Sequence, residues 1–156
     1  MAQYSPEQFG ARLDQFAVGF SDAIAVAVFV AAQQLESDIT GRIFGEDTQD
    51  VDGGTRGYRT ESWVTKREDA NLSINRVNLQ FTGDLKKSPK LFEEKAIKAV
   101  SLKIVGQKQV DKARGNERWF EQENGAKVFE ASVLEEKNAR LAFEDELTNY
   151  IQKFFD

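Results

Sequence analysis

The chain has 156 residues, 40% of them hydrophobic and 30% charged, with a net charge of −5 and neither cysteine nor histidine. That length and balance suit one domain over residues 1–156 with an ordinary buried core, and exclude disorder or a collagen-like chain. Without cysteine or histidine there is no disulfide framework, no thiolate or imidazole metal site, no cysteine nucleophile and no Ser-His-Asp triad, so no catalytic residue, metal ligand or cofactor is assigned.

The first residues lack the basic and apolar regions of a signal peptide. The longest apolar run, residues 23–32, has ten residues, whereas a membrane span needs about 20. The expectation is a protein made in the cytoplasm, with no membrane partner. Ser5, Pro6 and Gln8 form a strong helix start, with a cap, a first-position proline and the second half of a capping box. Phe9, Leu13, Phe16 and Phe20 then follow at helical spacing. A second start at Ser21 and Asp22 opens a helix to about Phe44, closed by Gly45. The two are separate helices broken near Gly19, or one bent helix.

Residues 23–32 are apolar on every side of such a helix, which must therefore be covered all round. Either this chain covers it alone, or a neighbouring subunit completes the cover, with Ala27 and Ala31 allowing close approach.

Residues 45–57 read as an exposed, acidic, glycine-bearing loop, and the flexible loop or arm extends to about residue 70. Asp50, Asp52 and Gly53 suggest a calcium loop, but its register puts Thr48 at the first ligand position and Arg59 where a bidentate Glu is required. No metal is assigned. Tyr58, Arg59, Trp63, Lys66 and Arg67 interleave aromatic and basic side chains. The reading is an aromatic strand or arm packed on the domain or on a neighbour; the alternative is a stacking surface for single-stranded nucleic acid.

Val77, Leu79 and Phe81 alternate as a short half-buried strand, followed by a polar turn through Lys86, Lys87 and Pro89. Val100, Leu102 and Ile104 mark a firmer strand, ended by Gly106. A charged helix over residues 108–123 carries Trp119 and Phe120 and stops at Gly125. A short strand is expected at 126–130. Ser132 and Glu135 then make a second capping box, opening a helix with Ala139, Phe143, Leu147, Tyr150 and Phe154 along one side. The fold class is α+β: an antiparallel sheet packed against long N-terminal helices and a C-terminal amphipathic helix. The acidic pairs, such as Glu93 with Glu94 and Glu135 with Glu136, fall on solvent faces or among lysines, and nothing points to an enzyme.

Charge is laid out unevenly. Residues 1–52 carry two bases against nine acids, residues 53–118 fifteen against eight, and residues 119–156 four against nine. This is a solvated surface with uneven ends, or a protomer whose basic part meets an acidic part of its neighbour, as in a ring.

An alanine-rich helical start, a glycine-bearing loop, Thr82-Gly83-Asp84-Leu85-Lys86-Lys87-Ser88 (a TG-x-L-x-x-S pattern), a strand ending in Val105-Gly106, a charged helix, a Gly-x-x-Val-Phe segment from Gly125 and a closing amphipathic helix occur in that order. In this the chain resembles the virion morphogenesis, neck (head–tail connector) and tail-completion proteins of long-tailed bacteriophages. The resemblance implies a structural virion protein, assembled in the host bacterial cytoplasm. It would form a homo-oligomeric ring that bridges an adaptor or portal and the tail terminator or tail tube, surrounding DNA without reading its sequence. A tail-terminator ring capping the tail tube is the alternative within that class, and a nucleic-acid-binding module the alternative outside it. Interface roles would fall to Ala27, Ala31, Tyr58, Arg59, Trp63, Lys66 and Arg67.

Overall fold

A computed structural model describes residues 5–45, 47–55, 57, 61–72, 74, 77, 79, 83–94 and 98–155. The elements in chain order are α1 (Pro6–Ile43), α2 (Glu61–Asp69), β1 (Pro89–Glu94), β2 (Ala99–Ile104), α3 (Gln107–Asn124) and α4 (Val133–Phe155). The architecture is α+β.

Both long helices start where the capping signals put them. The Ser5 hydroxyl accepts from the Gln8 amide at 3.3 Å, and the Gln8 side chain accepts from the Ser5 amide at 2.9 Å. At α4, Glu135 accepts from the Ser132 amide at 2.7 Å, and the Ser132 hydroxyl accepts from the Glu135 amide at 3.3 Å. Each pair satisfies donors that a helix start leaves orphaned.

There is no break near Gly19: α1 is one helix of 38 residues. A Cβ on Gly19 would lie 2.5 Å from the Tyr150 hydroxyl. The glycine is a slot for an α4 side chain, which sequence spacing reads as a stop. The helix ends at Ile43, with Phe44 as its cap, just before Gly45, where a Cβ would lie 2.7 Å from the Gly41 carbonyl oxygen and only glycine fits.

Helix α4 runs antiparallel along α1. Asn138 bonds Asp38 at 3.0 Å near one end. At the other, Phe16 and Phe20 stack 5.1 Å apart, with Tyr150 and Phe154 at 5.6 and 5.3 Å from Phe16. Arg12 closes that end by donating to the Phe154 carbonyl. Such a cation also suits the negative end of the helix dipole.

The core sits at the C-terminal end of α1. Ile39, Ile43 and Phe44 pack with Val77, Leu85, Ala113, Phe120 and Val128, surrounded by half-buried Leu102, Ile104 and Trp119. Strands β1 and β2 pair antiparallel, Pro89 opposite Ile104 and Glu94 opposite Ala99. Leu91, Val100, Leu102 and Ile104 are partly buried, while Lys90, Phe92 and Lys103, on the opposite face, are exposed. Strand β1 was not expected: the predicted turn ends at Pro89, its first residue, and residues 90–94 carried no predicted element. Its sequence, Pro-Lys-Leu-Phe-Glu-Glu, places a single aliphatic residue inward, so no alternation announces it.

Three other expectations need correction. The aromatic segment after residue 60 is helical in α2, neither strand nor arm: its inward residues are Val64 and Arg67, and an inward arginine leaves no apolar period to read. Residues 126–130 form no strand. The amides of Val128 and Phe129 donate to Glu117 at 2.7 and 2.9 Å, and the Val128 carbonyl accepts from Arg42 at 2.9 Å, so those ladder groups are already engaged. Finally, the loop after α1 is not simply exposed. Thr48 and Asp50 are buried; Thr48 bonds the Ile43 carbonyl at 2.7 Å, and Asp50 accepts from the Asp52 and Gly54 amides at 3.0 and 2.8 Å. The expected strand around Val77 falls largely on Asn78, Gln80 and Phe81, outside the described residues; Val77 and Leu79 pack in or against the core.

Candidate subunit-contact surfaces

The polar centre of the molecule is Arg42, near the end of α1. Its Nε and Nη2 donate to the two Glu135 carboxylate oxygens at 2.7 and 3.2 Å. Nη1 donates to the Gln49 and Val128 carbonyls, each at 2.9 Å, and Nη2 also to the Glu130 carbonyl at 2.7 Å. All five guanidinium N–H groups are thereby used. Burial alone would push the Glu135 carboxyl up; the bonds from Arg42 and from the Ser132 amide and hydroxyl outweigh it and hold the carboxyl below its ordinary range. The cluster is closed and saturated: it ties four segments together and leaves no reactive group presented to a substrate. Among the described residues no three acidic side chains converge as metal ligands.

The TG-x-L-x-x-S stretch is also accounted for by fold. Thr82 lies outside the described residues. Gly83 has φ +72°, a left-handed conformation that favours glycine. Leu85 is buried in the core. The buried Ser88 hydroxyl donates to the Leu85 carbonyl at 2.6 Å, and the Ser88 carbonyl accepts from the Val105 amide at 2.9 Å. The stretch builds the turn that starts the hairpin.

What the fold leaves open is apolar surface. The run at residues 23–32 has a wet side, contrary to expectation. Ala23 and Ala27 are buried, but Val26 is 51% exposed and Val18, one turn before the run, 80%. A helix with α4 and the hairpin as its neighbours is covered only where they lie. Phe9 and Leu13 protrude beyond the end of α4, and Val133 and Leu134 stand out at its start, 84% and 64% exposed. By length and composition α1 is apolar enough to cross a membrane, with a mean hydropathy of 1.8 over eighteen residues. The ten-residue run alone did not reveal this, because the flanking Phe16, Ala17, Val18 and Phe20 extend it.

Of the described residues singled out from sequence, Ala27 and Ala31 lie on α1, and Trp63, Lys66 and Arg67 on α2. Ala27 is fully buried inside the chain and has no surface for a neighbour; Ala31, one turn on, is half-buried. Trp63 is 48% exposed on α2, with the Lys66 ammonium 5.4 Å from its ring centre. Arg67 is 1% exposed, which removes it from any phosphate-binding surface. Tyr58 and Arg59 lie outside the described residues.

Sequence reasoning missed an open groove of about 370 Å³ between β2 and α3. Its floor is Ile104, Val110, Ala113 and Phe129, and Lys103 and Arg114 stand at its rim. Glu117 also borders it, with one carboxylate oxygen engaged by the Val128 and Phe129 amides. No family model matches the chain, and no curated protein or solved structure is significantly similar to it.

Proposed function

We propose that the chain is a structural subunit of a homo-oligomeric ring at the head–tail junction of a long-tailed bacteriophage, bridging an adaptor or portal and the tail. The observation that carries the oligomeric part is the exposed apolar side of the N-terminal half of α1, where Val18 is 80% and Val26 51% exposed. Large apolar residues left exposed along one helix face mark a contact surface. The virion part rests on the resemblance over residues 5–156. The saturated Arg42–Glu135 cluster fits a scaffold whose task is to hold shape.

The experiment is electron microscopy of the purified protein, alone and with tail tubes or portal–adaptor complexes of the same phage. Closed rings of constant copy number, seated at one end of those assemblies, are the expected result. A ring seated on the tail tube alone is the terminator alternative. A persistent monomer that binds neither assembly refutes the reading.

The apolarity of α1 favours one other reading, membrane attachment. Against it, Asp14 and Asp22 stand on the exposed side of the same helix, and an acidic residue at the centre of a span costs about 2.5–3.5 kcal/mol. Flotation with phospholipid vesicles separates the two readings: the ring subunit stays in the dense fraction.

A further inference from the structure

We infer that the N-terminal half of α1 in one copy of this chain docks in the β2–α3 groove of the next copy. The inference rests on the ring reading above and assigns the two surfaces that meet.

The groove has an apolar floor and a cationic rim, Lys103 and Arg114. Small-molecule sites need a few converging polar groups to fix orientation. Here the carboxylate at the wall, Glu117, is engaged by the chain's own amides, so the floor selects for aliphatic side chains and the rim for negative charge. Lys103 also sits 5.5 Å from the ring centre of exposed Phe92, extending the same apolar, cationic character onto the open face of the hairpin.

The complementary surface is on α1. Asp14, Val18, Asp22 and Val26 follow at four-residue intervals and all are exposed. Residues at that interval rise about 6 Å per step and form one ridge, the feature that packs into grooves. The ridge alternates acid and aliphatic, with Asp14 and Asp22 either side of Val18. Within this half of α1 the single basic residue, Arg12, is turned to the Phe154 carbonyl and ring. Aliphatic groups meet the floor and carboxylates meet the rim. Ridge and groove are different surfaces of one rigid chain, so the contact is head-to-tail, the kind that closes into rings when the rotation allows.

The test uses two charge reversals at exposed positions, Asp14→Lys with Asp22→Lys, and Lys103→Glu with Arg114→Glu. Circular dichroism and thermal melting establish that each variant folds, and mass photometry reads assembly. Each variant alone should need at least about tenfold more protein to assemble, because like charges face each other. An equimolar mixture should assemble again, since the reversed ridge of one fits the reversed groove of the other and their unaltered surfaces still pair. All four substitutions in one chain should also assemble. If either variant assembles like the wild type, or the mixture stays dissociated, the pairing is wrong while the ring reading stands on the wild type's own assembly. If the wild type assembles neither alone nor on tail tubes or portal–adaptor complexes, both are wrong.

Discussion

Replacing Arg42 by methionine probes the feature that holds the base of the molecule together. The substitution keeps much of the aliphatic stem and removes five N–H donors. It leaves the Glu135 carboxylate, 5% exposed, without its counter-charge. Breaking one side of a buried pair costs about 3–5 kcal/mol. The Val128 carbonyl, near-buried, also loses its partner, at about 1–3 kcal/mol where water does not replace it. We therefore expect a loss of about 4–8 kcal/mol, and for a chain of this size a melting point lower by about 10–30 °C. Urea unfolding followed by circular dichroism and tryptophan fluorescence measures it. The partner variant Glu135→Leu should be less damaging in the Arg42→Met background than alone, because the two together remove both charges. A midpoint change worth less than about 1 kcal/mol for Arg42→Met would show that the cluster is ornament, and the account of the base would fail.

Further outcomes follow from the same geometry. Because the folded Glu135 carboxyl is held below its unfolded value of about 4.5, its contribution is present above that pH and is lost as pH falls through the folded value. Acid titration of wild type against Glu135→Gln should thus converge at low pH and diverge near neutrality. Glu117→Ala should cost about 1–3 kcal/mol by orphaning the Val128 and Phe129 amides, measured by chemical unfolding. Phe120→Ala, at a fully buried core position, should cost about 3–5 kcal/mol in the same assay. Ala27→Glu buries a charge inside the chain and should cost several kcal/mol, whereas Val18→Glu, on the exposed ridge, should leave the unfolding free energy within about 1 kcal/mol of wild type and weaken assembly.

Some of this was legible in the sequence because its cause is local. Ser5 with Gln8 and Ser132 with Glu135 announce helix starts within four residues, and Val100, Leu102 and Ile104 announce β2 by alternation. What stayed hidden has partners far along the chain or on the backbone. Arg42 meets Glu135 across 93 residues, and its other acceptors are carbonyls, which every residue carries. Residues 126–130 have strand composition, but Glu117 and Arg42 take the hydrogen bonds a strand would need. Arg67 is the buried residue of α2, so its helix has no apolar period. The groove combines β2, α3 and Phe129, which no single stretch of sequence displays together.

The run at residues 23–32 gives the most instructive discrepancy. Its composition demands cover, and sequence alone turns that demand into a statement about burial. The fold meets it only in part, with Ala27 at 0% and Val26 at 51% exposure on neighbouring positions of one helix. In the proposed ring, folding and assembly use opposite sides of α1. Ile39, Ile43 and Arg42 anchor the C-terminal end in the core and the ion pair. The N-terminal half is held by α4, by the aromatic contacts of Phe16 and Phe20 and by the bond from Lys98 of the hairpin to Ser21, and it holds its remaining apolar groups in a fixed array. A pre-formed array loses little conformational entropy on docking, which favours association over the same residues in a loose arm. The proposed contact thus moves from Ala27, the position read from sequence, to Val18 and Val26, because composition does not show which side of the helix α4 and the hairpin cover.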